Sequence, residues 1–162
     1  MTGADVFVFI VFGLLAVTRP VYLFYLSPKR IGGRRVRAWL QPVQLGTFYA
    51  TIVFSAWEYL HFGRPLLGLL TAGVVALIAA TQALKIVAIR ELGSYWSAHV
   101  EIRNPHPLIK TGPYAWMRNP GYLNGIVEGL CIPLISSSWL TLLFAFVAVT
   151  VVFSLRIATE EK

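Results

Sequence analysis

Long apolar blocks alternate with short polar connections along this chain. Five blocks stand out, at about 4–26, 42–60, 65–88, 121–135 and 139–155. Most come close to the ~20 residues that an α-helix needs to cross about 30 Å of hydrocarbon. Apolar residues run almost continuously within them, without the spacing of an amphipathic helix or a half-buried strand. The pattern predicts an all-α integral membrane protein with about five transmembrane helices.

We expect one membrane domain over 1–162, with three spans in 1–89 and two more in 90–162. The composition agrees, since 57% of the residues are hydrophobic and 13% are charged, against roughly 25% charged in soluble domains. The net charge of +7 does not indicate nucleic acid, because the basic residues lie between the apolar blocks. Cys131 stands alone within such a block and reads as a small core residue. The three histidines lack metal-ligand spacing, so no metal site is predicted.

The distribution of Lys and Arg predicts the orientation, because cytoplasmic loops carry the excess of these residues. Basic residues cluster between spans one and two, between spans three and four, and after span five: Lys29, Arg30, Arg34, Arg35, Arg37, Arg90, Arg103, Lys110, Arg118, Arg156 and Lys162. The opposite side offers Arg64. We read the first block as a retained span, because Asp5 stands where a signal peptide would be basic. The expected location is a bacterial inner membrane, with the N-terminus outside and the C-terminus and active site cytoplasmic.

The candidate chemistry lies in one run, 106–122, with the sequence HPLIKTGPYAWMRNPGY. Ionisable groups beside hydrocarbon cost several kcal/mol unless they face a cavity or a partner. Prolines lack an N–H and interrupt helical hydrogen bonding. Backbone groups freed in this way at membrane depth have to be buried in protein or line a cavity. Asn119-Pro120 leads directly into span four, and the positive end of a helix suits a carboxylate or phosphate. The run therefore predicts a functional pocket.

The segments LGSYWS, HPLIKTGPYAWMRNPGYLNG and RIATEE follow one another within residues 92–161. In order and spacing they resemble the isoprenylcysteine carboxyl methyltransferase family of integral membrane enzymes. The resemblance implies an S-adenosylmethionine pocket formed by the C-terminal half at the cytoplasmic face. It is strongest to a short bacterial branch that methylates alkylpyrone or phenolic lipids beside polyketide synthases. The implied acceptor is thus a lipid-like molecule, such as a polyketide synthase product.

The resemblance assigns most of the polar groups to the cofactor. The expected cofactor-binding residues are His106, Leu108, Ile109, Gly112, Pro113, Tyr114, Arg118, Asn119, Pro120, Tyr122 and Glu161. Tyr114 and Trp116 can supply an aromatic face, and Glu160 or Glu161 can take the ribose or the ammonium. Asn119 stands where the family usually has His, and an amide cannot titrate near neutral pH. Hydrogen bonding, not proton transfer, is expected there.

The expected catalytic residues are Arg156, Glu160 and Glu128. Arg156 can orient an anionic acceptor oxygen, and it shares a helix face with Glu160 four residues on. Glu128, within span four, can act as a base. A carboxylate acceptor needs no base, whereas a phenol or enol benefits from one.

The resulting prediction is an S-adenosylmethionine-dependent methyltransferase acting on an oxygen of a lipophilic acceptor. Two alternatives stay open. One is an NADPH-dependent membrane reductase of the steroid-reductase type, whose C-terminal half looks broadly similar. The other is a non-catalytic membrane scaffold or lipid-binding protein. Against the latter stands the number of polar residues at membrane depth, for which a scaffold has little use.

Overall fold

A computed structural model describes residues 2–24, 34–35, 37–97, 101–102 and 109–160. Within them the chain forms five long helices. These are α1 (Gly3–Phe24), α2 (Leu40–Phe62), α3 (Gly68–Leu92), α4 (Pro120–Ile135) and α5 (Trp139–Glu160). Two 3₁₀ turns, Gly93–Tyr95 and Gly112–Ala115, flank the connection between α3 and α4.

The helical architecture confirms the prediction of an all-α integral membrane protein. Among the described residues, three helices are long and apolar enough to cross a membrane: Gly3–Tyr22, Gly68–Tyr95 with its 3₁₀ extension, and Trp139–Glu160. Helix α4, with 16 residues, is about 24 Å long and falls short of the hydrocarbon thickness. Helix α2 is long enough but carries several polar residues. The number of five spans therefore stays a prediction.

The helices alternate in direction, so each end of the bundle gathers alternate helix termini. At one end, Tyr22 near the end of α1 donates a hydrogen bond to Gln82 Oε1 of α3 (2.7 Å). At the other, Tyr59 near the end of α2 donates to Asp5 Oδ1 at the start of α1 (2.9 Å). We call the first the site end. It holds the last turns of α1, α3 and α5 and the first turns of α2 and α4.

A two-stranded antiparallel pair joins two connections at the site end. Strand β1 (Arg34–Arg35) precedes α2, and strand β2 (Glu101–Ile102) follows α3, with Arg34 opposite Ile102. This short pair is the exception to the helical prediction. It places the residues shortly before α2 beside the residues that follow α3.

A buried apolar cluster joins α1, α2, α3 and α4. Val8, Ile52, Ile78 and Ile132 represent the four helices within it. Cys131 belongs to the same cluster and is a free, buried thiol, which confirms its reading as a small core residue.

Pro20 lies inside α1 without ending it. Proline has no N–H, so the carbonyl four residues earlier loses its helical hydrogen bond. That carbonyl belongs to Ala16, and the Tyr49 hydroxyl of α2 donates to it at 3.0 Å. A side chain from the neighbouring helix thus replaces the missing donor.

Helices α4 and α5 approach closely at two glycines one turn apart. A Cβ at Gly125 would lie 2.5 Å from Phe153 Cζ, and one at Gly129 would overlap Val149 Cγ2. Small residues spaced four apart let membrane helices pack backbone to side chain. This packing brings the start of α4 to the end of α5.

At the end opposite the site, Glu58 caps α5. Its carboxylate accepts the backbone N–H groups of Leu140 (3.1 Å) and Thr141 (2.8 Å), which have no acceptor within a helix's first turn. It also pairs with Arg64 (2.8 Å). The buried Glu58 is therefore fully engaged in holding the fold.

Candidate functional site

A cavity of about 130 Å³ opens at the site end. All five helices contribute to it. Its lining consists of Arg19, Tyr22, Gln41, Gln44, Leu45, Lys85, Trp96, Ser97, Gly121, Tyr122 and Arg156. Apart from Leu45 and Gly121, the described lining residues are polar, aromatic or cationic, and none of them is acidic.

The motif residues of α4 and α5 form one hydrogen-bonded group beside the cavity. Arg156 Nε donates to the Tyr122 hydroxyl (3.3 Å), and that hydroxyl in turn donates to Glu160 Oε1. Asn119 Nδ2 donates to the other oxygen of Glu160 (3.2 Å). Helix α5 continues to Glu160, so Arg156 and Glu160 share one face and close on Tyr122 together. We call these four residues the Arg–Tyr–Glu group.

Helix α2 holds the Arg156 guanidinium from the other side. Arg156 Nη1 donates to Gln44 Oε1, and Gln44 also lies against Gly125, where a Cβ would be 3.4 Å from its amide nitrogen. Arg156 keeps only 7% of its surface exposed. The sequence placed Arg156 just after span five, whereas the structure buries it beside the contact of α4 with α5.

The Gly-Pro-Tyr segment forms a 3₁₀ turn that packs on the end of α3. Gly112 has φ of 53°, and a Cβ there would lie 2.9 Å from Glu91 Cγ. The positive φ favours glycine, and the close approach of the Glu91 side chain adds to this preference. Thr111 Oγ1 fixes the turn by donating to Glu91 Oε2 (2.9 Å).

Two aromatic residues of this segment differ in burial. Tyr114 is partly buried, and burial raises the pKa of its hydroxyl to about 12, so it stays protonated and able to donate at physiological pH. Trp116 is 90% exposed. An exposed indole is suited either to the membrane interface or to stacking with a ligand ring.

Glu128 lies deeper, in a second polar cluster. It is buried, its Oε2 pairs with Arg19 of α1, and its Oε1 accepts a hydrogen bond from Gln82 of α3. Gln82 also accepts from Tyr22 and from Asn124 (3.2 Å). We call this the Glu128 cluster. Because both carboxylate oxygens are engaged, the geometry favours a positioning role for Glu128 over the base role expected from the sequence.

The structure separates the expected site residues into sets. Asn119, Tyr122, Arg156 and Glu160 come together, and Pro120 is buried at the start of α4. The Gly112–Ala115 turn, with Gly112, Pro113 and Tyr114, packs instead on the end of α3. Ile109 is partly buried, and the exposed Arg118 makes no hydrogen bond or ion pair with the described residues. His106, Leu108 and Glu161 lie outside the described residues.

Arg19, Gln41, Gln44, Gln82 and Lys85 were not expected in the site. Arg19 and Lys85 are charges within or beside apolar blocks, a sign of function in membrane proteins that could have drawn attention to them. Gln41 and Gln44 are three apart at the start of α2, and that spacing puts them on one face of the helix. Local spacing could not predict the hydrogen bond between Gln44 and Arg156, because the two residues are 112 positions apart.

Fold and site together define a helical integral membrane protein with a polar, cation-lined cavity at one end of the bundle. The model of the Isoprenylcysteine carboxyl methyltransferase family matches residues 74–162, more than half of the chain, and the chain belongs to this family of methyltransferases. The match begins within α3 and so includes Gln82 and Lys85, ahead of the motifs that carried the resemblance.

One curated relative is the uncharacterized protein YpbQ of Bacillus subtilis. It is 34% identical over 90 residues, which are 56% of this chain and 54% of that protein. The chain thus spans about half the length of the curated relative it matches.

Proposed function

We propose that the protein is an S-adenosylmethionine-dependent methyltransferase that acts on an oxygen of a lipophilic acceptor at the cytoplasmic face of a bacterial inner membrane. The proposal rests on the Arg–Tyr–Glu group. Its four members come from the start of α4 and the end of α5, and they meet beside a cavity lined by all five helices.

The side chains present suit the cofactor's chemistry. The cofactor presents an adenine ring, a ribose, a carboxylate and an ammonium. Glu160, exposed at the end of α5, can accept hydrogen bonds from hydroxyl or ammonium groups, and Tyr114 and Trp116 offer aromatic faces. Gly121, in the first turn of α4, lines the cavity, and helix N-termini favour anions. A cavity of about 130 Å³ is below the ~300–1,000 Å³ of typical ligand sites, so it suits a headgroup, not the whole cofactor.

When bound, the cofactor supplies an electrophilic methyl group on a cationic sulfonium. The chain's part in such an in-line displacement is to position the acceptor and exclude water. Arg156, held by Gln44 and Tyr122, can fix an acceptor oxygen. The lipid tail would approach sideways from the bilayer. By the resemblance, alkylpyrone or phenolic lipids made by a polyketide synthase are the acceptors to test first.

Cofactor binding tests the assignment directly. Calorimetry on the purified protein in detergent should detect S-adenosylhomocysteine and S-adenosylmethionine but not NADPH. Glu160→Gln should weaken the binding, because the amide offers one acceptor oxygen where the carboxylate offers two. Asp5→Asn, at the opposite end of the bundle, is the matched control and should bind normally. NADPH binding without adenosyl-compound binding would replace the proposal with the reductase alternative.

Methyl transfer is the second test. Membranes containing the protein are incubated with S-adenosylmethionine carrying a CD₃ group, and the extracted lipids are searched by mass spectrometry for labelled species. Lipids labelled by the wild type but not by Arg156→Gln would support the function. Labelling confined to water-soluble compounds would contradict a lipophilic acceptor.

A further inference from the structure

The three cations that line the cavity differ in their contacts. They are Arg19, Lys85 and Arg156. Arg19 forms an ion pair with Glu128, and Arg156 contacts Tyr122, whose hydroxyl donates to Glu160.

Lys85 forms no ion pair with an acid among the described residues. Its ammonium lies over the Tyr22 ring, 4.0 Å from the centroid, and donates no hydrogen bond to a described residue. Glu128, the described acid that interacts electrostatically with Lys85, is already paired with Arg19. Only 7% of Lys85 is exposed. A buried ammonium without a counter-charge is costly and marks a functional position in membrane proteins.

The surroundings hold Lys85 in place at the cavity wall. The Tyr22 hydroxyl donates to Gln82, and Gln82 donates to Glu128, so the Glu128 cluster fixes the ring beneath the ammonium. Lys85 itself lines the cavity. The Glu128 cluster therefore holds the Lys85 ammonium at the cavity wall, where a ligand in the cavity can contact it.

We propose that Lys85 binds an anionic oxygen of the methyl acceptor and makes the enzyme selective for acidic lipids. The ligand class is a carboxylate, enolate or phenolate headgroup on an apolar tail. This inference rests on the proposed function and names its substrate class. In methyl transfer the acceptor oxygen would attack the methyl carbon, and the carbon–sulfur bond would break with its electron pair going to sulfur. The anionic oxygen and the sulfonium would both become neutral. The methylated product would then lose its charge attraction to Lys85.

Binding of matched lipid probes to the protein in nanodiscs tests the inference. The probes are myristate against myristyl alcohol, and a long-chain 4-hydroxy-2-pyrone against its 4-methoxy ether. The wild type should bind one or both anionic probes at least roughly tenfold more tightly than the neutral partner, as expected for a charge-assisted hydrogen bond. Preference for one anionic probe alone would identify the headgroup as carboxylate or enolate. Equal binding of anionic and neutral probes in the wild type would overturn the inference without any variant.

Variants then locate the preference. Lys85→Met should weaken it strongly, leaving only what Arg156 contributes, Lys85→Arg should keep more of it, and Lys110→Met, which removes an exposed charge outside the cavity lining, should leave it unchanged. Lys85→Gln replaces Lys85→Met if the latter does not fold. An undiminished preference in a folded neutral variant would refute the role of Lys85. S-adenosylhomocysteine binding should be unchanged in these variants. Its absence from the wild type would refute the proposed function separately.

Discussion

A conservative substitution of Arg156 can separate its contribution to stability from its contribution to methyl transfer. Its guanidinium divides its donors between Gln44 and Tyr122, a fork that a lysine cannot reproduce. Arg156→Lys should keep the charge, lower stability by only about 1 kcal/mol, and reduce turnover roughly 30- to 1,000-fold, the effect of losing one contact made in the transition state. Melting temperature and methyl transfer are measured on the same preparation.

Arg64→Lys is the matched control for this substitution. Arg64 donates to Glu58 and to the Ser137 carbonyl at the opposite end. The variant should lose a similar amount of stability but keep its turnover per folded molecule. Equal loss of turnover in both variants would mean that Arg156 serves the fold.

Glu58 is a structural counterpart to the site acids. Glu58→Ala removes the acceptor of two backbone N–H groups at the start of α5 and of Arg64. We expect a loss of about 1–3 kcal/mol, the cost of buried donors left unsatisfied, with adenosyl-compound binding unchanged. Glu58→Gln keeps one acceptor oxygen and should lose less. Denaturant unfolding in detergent measures the difference, and identical stability in all three proteins would refute the capping role.

The sequence pointed to part of the site at residue level. Asn119, Tyr122, Arg156 and Glu160 were found because their order along the chain is a family pattern. Gln44 was missed because a glutamine at the start of a span is unremarkable until α2 crosses α5. Arg19 and Lys85 were visible as charges, but their partners depend on helix packing, which local spacing does not determine.

At the scale of elements, hydropathy located every helix but not its ends. The predicted blocks 65–88 and 139–155 correspond to helices that end at Leu92 and Glu160. Apolar composition reports where hydrocarbon ends, whereas backbone hydrogen bonding continues beyond it. The additional helical turns carry residues such as Arg156. The site therefore lies between the end of the apolar block and the end of the helix.

The contact of α4 with α5 gives an element-scale prediction. Gly129→Ala should cost about 1–3 kcal/mol, because the new Cβ meets Val149 and forces the helices apart. Combining it with Val149→Ala should restore part of the loss, a non-additive result expected of residues in contact. Gly73→Ala in α3 meets nothing within 4 Å and should be neutral or stabilising. Additive losses in the double variant would show that the helices do not meet at Gly129.

At the scale of the whole molecule, the alternation of helix directions limits the possible topologies. The strand pair of Arg34–Arg35 with Glu101–Ile102 requires the connection before α2 and the segment after α3 to lie on one side. The end of α5 is at the same end of the bundle, because Arg156 contacts Gln44 near the start of α2. The basic residues concentrate in these regions, so by the positive-inside rule we expect them all on the cytoplasmic side.

Reporter fusions test this orientation. Fluorescent-protein fusions after residues 36 and 162 should both fluoresce, and alkaline phosphatase inserted after Arg64, in the connection between α2 and α3, should be active outside the cytoplasm. Opposite locations for 36 and 162 would contradict the alternating bundle itself. If both fusions lie outside and phosphatase activity at Arg64 is lost, the bundle is intact but its orientation is the reverse of the expected one. The Arg–Tyr–Glu group would then face away from the cytoplasm, the compartment in which S-adenosylmethionine is made.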